Sequence, residues 1–268
     1  MKVFFNGDLI DREAARIDPG DRGLTLADGL YETIKVQGGD PVRTDAHLAR
    51  LRGGAAVIGL VLPDGDLVAA LKEVAAANNI NQGVLRLTLT RGVPRDPRAR
   101  GILPPLDAQP TLLITGMSQN LTPPEGVRAI IAACTRRNEH SPLSRIKTTN
   151  CLDGILAAQE AKQRKADDAL LLNTAGNLAE AAVANLFLVL DGRAVTPPIE
   201  DGALPGVMRA AVIKALGAAE QTLATDALEN VSEAFLTSAL GIRPLIEVDG
   251  VAIGSGVPGP VVRQAQKA

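Results

Sequence analysis

Residues 84–90, VLRLTLT, alternate strictly between apolar and polar side chains, which specifies a strand with one buried face. The stretches around it follow no βαβ rhythm, and that irregularity limits the fold more than any other feature. Val3–Phe5 and Asp8–Ile10 flank an Asn6-Gly7 turn and read as a hairpin. Gly29–Val36 alternates as a half-buried strand and runs into a Gly38-Gly39 turn. Asp45–Ile58 spaces Leu48, Leu51, Ala55 and Ile58 at helical intervals behind a candidate cap at Asp45, and Leu67–Asn78 is a second, alanine-rich helix. Gly92–Pro105, rich in proline and arginine, is a loop. In the second half, strands at Val127–Cys134, Ala169–Leu172, Leu186–Leu190 and Ala194–Thr196 mix with helices at Leu152–Ala161 and Val207–Leu216. Strands and helices mixed in this way indicate an α+β architecture.

Pro123-Pro124 cannot sit inside a helix or a central strand, so 119–126 is the expected linker. The expected division is a smaller N-terminal domain over 1–118 and a larger one over 127–268. Aromatic residues make up 2% of the chain and tryptophan is absent, so the core must be built from Leu, Val, Ile and Ala. The formal charge of −2, with no basic block interleaved with aromatics, disfavours nucleic acid as a partner. Cys134 and Cys151 are the only cysteines, compatible with a reducing cytoplasm. No run approaches the ~18 apolar residues of a membrane span. With His47 and His140 the only histidines, no metal site is expected.

Chemistry concentrates near SRIKTTNCLDGILAAQEA, Ser144–Ala161. Lys147 lies between an extended lead-in and a helix whose cap is read as Asn150 and whose Leu152, Ile155, Leu156 and Gln159 are read as an inward stripe. A lysine partly desolvated there has a lowered pKa, and the neutral amine attacks carbonyls. Most lysines, however, are simply solvated. Glu180, in NLAEAAVANLF, is either a solvated strand-edge acid or a buried one with a partner. LPGVMR, Leu204–Arg209, either merely starts a helix or offers its first-turn amides to an anion. Arg50, Arg95, Arg98 and Arg100 are suited to phosphate or carboxylate, or to water.

Taken in order, DGLYETIKV, HLARL, RIKTTN, LAEAAVANLF and LPGVMR resemble the fold type IV pyridoxal-phosphate enzymes, the class IV aminotransferases, over essentially the whole chain. The resemblance implies a small N-terminal and a larger C-terminal α/β domain with pyridoxal phosphate between them, usually in a homodimer. It implies that Lys147 forms the Schiff base and shuttles the proton at Cα. Glu180 would partner the pyridine nitrogen, and Arg50, the Gly206, Val207 and Met208 helix start, Ser238 and Ala239 would hold the cofactor. Tyr31, Thr33 and the Arg95–Arg100 loop would face the substrate, an amino acid or a 2-oxo acid. DRG, DGLYE and KTTNCLDGILAAQEA are similar to D-amino-acid transaminases. Met208 and Ala239, where those enzymes carry hydroxyls, together with Thr33, are similar to 4-amino-4-deoxychorismate lyases, which release pyruvate and 4-aminobenzoate. Thr148-Thr149 and Val183-Ala184-Asn185 depart from the branched-chain transaminase pattern, leaving that branch the least supported.

Overall fold

The structure is a computed structural model describing residues 1–96, 101–105 and 107–268, so Arg98 and Arg100 lie outside the described residues. The chain forms two compact units. The first comprises Met1–Leu121 and Ile146–Asn150, the second Thr122–Arg145 and Cys151–Ala268. No helix of the described residues is long and apolar enough to cross a membrane.

In the first unit β1 (Lys2–Phe5) and β2 (Asp8–Asp11) form a hairpin around Asn6 and Gly7, whose positive φ of 50° and 109° suit the Asn-Gly pair. After α1 (Arg22–Leu26) come β3 (Gly29–Gln37), β4 (Asp40–Pro41), α2 (Thr44–Ile58), α3 (Leu67–Ala77), β5 (Gln82–Val93) and β6 (Gln109–Ser118). The strands pair antiparallel in the order β2-β1-β6-β5-β3-β4. Alternation puts Leu30, Ile34 and Val36 of β3 and Leu85, Leu87 and Leu89 of β5 on one face, where they bury against Leu48 and Leu51 of α2 and Leu71 and Val74 of α3. Asp66 caps α3, accepting from the amides of Val68 and Ala69. The opposite face of β3 and β5 carries Tyr31, Thr33, Arg86 and Thr88.

Ile146–Asn150 returns to this unit and runs beside the first half of β3, where β4 does not reach. The Tyr31 amide donates to the Lys147 carbonyl (3.0 Å), and the Thr149 amide to the Gly29 carbonyl (2.9 Å). The Thr149 hydroxyl donates to the Ala27 carbonyl at 2.8 Å.

The second unit contains β7 (Val127–Ile131), α4 (Leu152–Gln163), β8 (Asp168–Leu172), β9 (Leu178–Ala181), β10 (Asn185–Leu190), β11 (Arg193–Thr196), α5 (Val207–Leu216), β12 (Ala219–Glu220), β13 (Glu233–Ser238), β14 (Gly241–Val248), β15 (Val251–Ala252) and α6 (Pro260–Ala265). Its mixed sheet runs β12-β11-β10-β13-β14-β7-β8-β9, with β15 pairing β14. Its buried clusters are aliphatic apart from Met208 and from Phe187 and Phe235, neighbours in register on β10 and β13 whose rings stack at 4.9 Å.

Three local expectations are corrected. Asp45 lies inside the first turn of α2 and does not cap it; the helix begins at Thr44 behind Arg43, whose φ is 54°. Asn150 does not cap α4, which starts at Leu152 behind Cys151. Nor does the leucine stripe of α4 face inward: Leu152, Ile155 and Leu156 are 65%, 48% and 47% exposed. The helix packs through Ala157 and Ala161 against Ala132, Ala169 and Leu171 instead. It lies so close that a Cβ on Gly154 would stand 2.7 Å from the Ala182 carbonyl oxygen. Only small side chains fit that face, so the large ones turn outward.

Candidate active site

The first unit gathers cations around one aromatic ring. Lys147, half-buried, is held at its backbone by Tyr31, and its Nζ lies 4.4 Å from the centroid of the Tyr31 ring. The Arg86 guanidinium lies 3.8 Å from the same centroid. Tyrosine faces attract cations, so the ring orients both side chains. Thr33 sits directly opposite Arg86 in the β3–β5 register. Alternation of β5 puts Arg86 on the Tyr31 face, a signal that sequence reading could have used.

Arg50 reaches from α2 to Glu32, which accepts from its Nε at 2.8 Å and its Nη2 at 2.6 Å. His47 Nδ1 lies 2.7 Å from the same carboxylate. Burial pushes Glu32 up, but the bonds from Arg50 and His47 outweigh it and hold the carboxyl below its ordinary range. Arg50 is therefore fixed in direction by a buried, charged partner. Arg95 is exposed.

In the second unit Glu180 is buried with partners, which settles the alternative left open by its sequence context. Its carboxylate forms an ion pair with Arg137, whose Nε lies 3.0 Å away, and accepts from the Leu204 amide (3.0 Å) and Asn185 Nδ2 (3.3 Å). No sequence signal singles out Arg137. Asn185 also donates to the Leu204 carbonyl at 2.8 Å, tying the acid to the chain entering α5. Gly206 precedes α5 without a side-chain cap, so the first-turn amides of Val207 and Met208 have no capping oxygen there. A Cβ at Gly206 would lie 2.0 Å from Asn185 Oδ1, so only glycine fits. Ser238 and Ala239 stand at the turn between β13 and β14, the Ser238 hydroxyl accepting from the Leu240 amide at 3.3 Å. Next to them the buried Thr237 Oγ1 has no hydrogen-bond partner among the described residues.

Taken unit by unit, the groups present fit pyridoxal phosphate. In the second unit an uncapped helix start suits a phosphate and a buried carboxylate paired with arginine suits a ring nitrogen; in the first, a lysine amine beside an aromatic ring suits an aldehyde. Among the described residues no group of three His, Cys, Asp or Glu could hold a metal ion.

Comparison with known proteins agrees. The family model described as amino-transferase class IV matches residues 29–248. The chain belongs to the class IV aminotransferases and is a pyridoxal-phosphate-dependent enzyme. The D-alanine aminotransferase of Bacillus licheniformis is 32% identical, the match covering 100% of this chain and 95% of that one. The Escherichia coli branched-chain amino acid aminotransferase superposes with a TM-score of 0.92 at 28% identity, covering 100% of this chain and 92% of its own. A Legionella pneumophila protein described as a putative 4-amino-4-deoxychorismate lyase superposes with a TM-score of 0.87 at 28% identity, over 95% of this chain and 94% of that one.

Proposed function

We propose that this chain transfers the amino group of a D-amino acid to a 2-oxo acid, with Lys147 as its catalytic base and covalent anchor. The observation that carries the reading is the Lys147 amine held over Tyr31 beside Arg86. Bound pyridoxal phosphate supplies an electron sink for negative charge developing at the substrate Cα. Lys147 carries the cofactor between turnovers and then takes and returns the proton at Cα. Glu180, ion-paired with Arg137, holds a proton on the ring nitrogen. Arg50, the Gly206–Met208 amides, Ser238 and Ala239 bind the phosphate. Tyr31 and Thr33 line the substrate side, and Arg86 with the loop arginines Arg95, Arg98 and Arg100 takes its acidic groups. We extend the proposal to a cytoplasmic homodimer. Full-length similarity to D-alanine aminotransferases supports the D-configuration.

Thr33, Met208 and Ala239 favour a second reading, the lyase that releases pyruvate from aminodeoxychorismate. One experiment separates them. The protein is loaded with pyridoxal phosphate and its visible absorption followed after adding D-alanine without any 2-oxo acid. Loss of the visible band supports the transaminase, and Lys147→Ala should remove that response. A band that does not move with D-alanine, together with pyruvate release from aminodeoxychorismate, would overturn it in favour of the lyase.

A further inference from the structure

Glu139 has no part in the chemistry above, yet it is a buried acid two residues from Arg137, the ion-pair partner of Glu180. Thr174, in the turn between β8 and β9, satisfies both its oxygens. The Thr174 amide donates to Oε2 at 3.0 Å and the Thr174 hydroxyl to Oε1 at 2.7 Å. The bond from the amide, joined by the one from the hydroxyl, outweighs burial and pulls the carboxyl down to about 2, so both bonds act on a charged acceptor. The other bases are further off: exposed His140 stands 4.0 Å from Oε1 through its Nε2, and Arg145 Nη2 donates to the Glu139 carbonyl at 3.3 Å.

These bonds extend a pairing that the backbone begins. The Arg137 amide donates to the Leu172 carbonyl at 2.8 Å, and Arg137 pairs with Asn173 in parallel register. One step further along, the Glu139 side chain takes over at Thr174. Gly202 also closes on this stretch, where a Cβ would stand 3.3 Å from Arg137 Cβ and 3.5 Å from Glu139 Cα. Its carbonyl accepts from Arg137 Nε at 3.1 Å, and the Ser144 carbonyl accepts from Arg137 Nη2 at 2.9 Å. The Ser144 hydroxyl donates in turn to the Asn138 carbonyl at 2.7 Å. The direction in which the Arg137 guanidinium meets Glu180 therefore depends on where residues 137–139 stand. Arg137 faces Glu180, whereas both oxygens of Glu139 hold the stretch in place.

We propose that Glu139 is a positioning residue for the Glu180 carboxylate: bonded to Thr174, it fixes residues 137–139 so that Arg137 keeps Glu180 directed at the cofactor's ring nitrogen. The proposal rests on the reading of Glu180 as the partner of that nitrogen.

The test uses the enzyme loaded with pyridoxal phosphate isotopically labelled at its ring nitrogen, whose magnetic resonance reports protonation there across a pH series. Glu139→Ala should lower the pH at which the ring nitrogen loses its proton by about one unit, a tenfold change in proton affinity. With the substrates that the absorption experiment identifies, kcat should fall about tenfold and KM stay within about twofold. Glu139→Gln keeps an oxygen for the Thr174 amide and a donor toward its hydroxyl, so it should return the midpoint to within about 0.3 unit of the unaltered enzyme. If Glu139→Ala fails to fold, Thr174→Val at the exposed turn removes the hydroxyl bond alone and should lower the midpoint about half as far. Glu180→Gln, as control, should lower it further than Glu139→Ala does. With that control lowered, an unchanged or raised midpoint in Glu139→Ala, or in Thr174→Val where it stands in, overturns the role of Glu139 alone. So does a Glu139→Gln variant as impaired as Glu139→Ala. A Glu180→Gln midpoint equal to that of the unaltered enzyme overturns the reading of Glu180, and the role of Glu139 falls with it.

Discussion

A carboxylate with no exposed surface on the leucine-lined face of a sheet is tolerable only because two bases reach it. Glu32 sits among Leu30, Ile34 and Leu87, and Arg50 and His47 supply its three hydrogen bonds. Charge-assisted bonds of this kind are worth about 1.5–3 kcal/mol each to a group that water cannot solvate. Glu32→Gln keeps the shape but removes the charge, leaving the Arg50 guanidinium without its fixed direction. We expect folding stability to fall by ~2–4 kcal/mol and pyridoxal-phosphate affinity to fall about tenfold, ~1.4 kcal/mol. Denaturant unfolding and cofactor titration check the two. The pH dependence has a definite sign. The folded carboxyl lies below the ordinary glutamate value of 4.5. Its contribution is complete above that value and is lost as pH falls through the lower, folded one. The stability gap between the unaltered chain and the Glu32→Gln variant should therefore close in acid. A gap that persists unchanged there would assign the loss to packing.

Among the elements, α4 shows how far periodicity reaches. Its apolar residues recur at helical spacing, so the helix itself is legible, but spacing cannot say which of two apolar faces is inside. The side is chosen by clearance: Gly154, Ala157 and Ala161 fit against the sheet and the larger residues do not. Ala157→Leu should therefore cost ~1–3 kcal/mol by overpacking, whereas Ile155→Gln should stay within about 0.5 kcal/mol; urea midpoints at constant slope measure both. The reverse ranking would restore the leucine stripe to the interior. The same distinction runs through the chain. Turn chemistry made the Asn6-Gly7 turn and α5, with Gly206 before it and Gly217 after it, readable to the residue, because those backbone shapes admit few side chains. The partners of buried charges were not readable. Arg137 reaches Glu180, and Asp28 joins Arg22 to Arg91, across sequence distances that no local pattern encodes.

Across the whole chain, the lysine does not belong to the unit that follows it in sequence. The path leaves the first unit at Leu121, comes back for Ile146–Asn150 and leaves again. The returning segment satisfies β3 backbone groups that no earlier strand reaches: the Tyr31 amide finds Lys147, and the Gly29 carbonyl finds Thr149. Lys147 thus acquires its place over the Tyr31 ring only when a late segment docks on an early strand. That docking is a long-range closure, 122 residues of chain separating Ala27 from Thr149, and it costs more loop entropy than a local contact does. The Thr149 hydroxyl secures it, donating to the Ala27 carbonyl at 2.8 Å with the Gly29 carbonyl at 3.3 Å. Thr149→Val keeps the volume and removes those bonds, a loss of ~1 kcal/mol confined to the segment. Hydrogen exchange at the Tyr31 amide should then quicken about fivefold, while amides deep in β5 keep their global protection. If the Tyr31 amide and β5 quicken together, the segment does not open by itself, and the position of Lys147 is secured by the fold of the entire first unit.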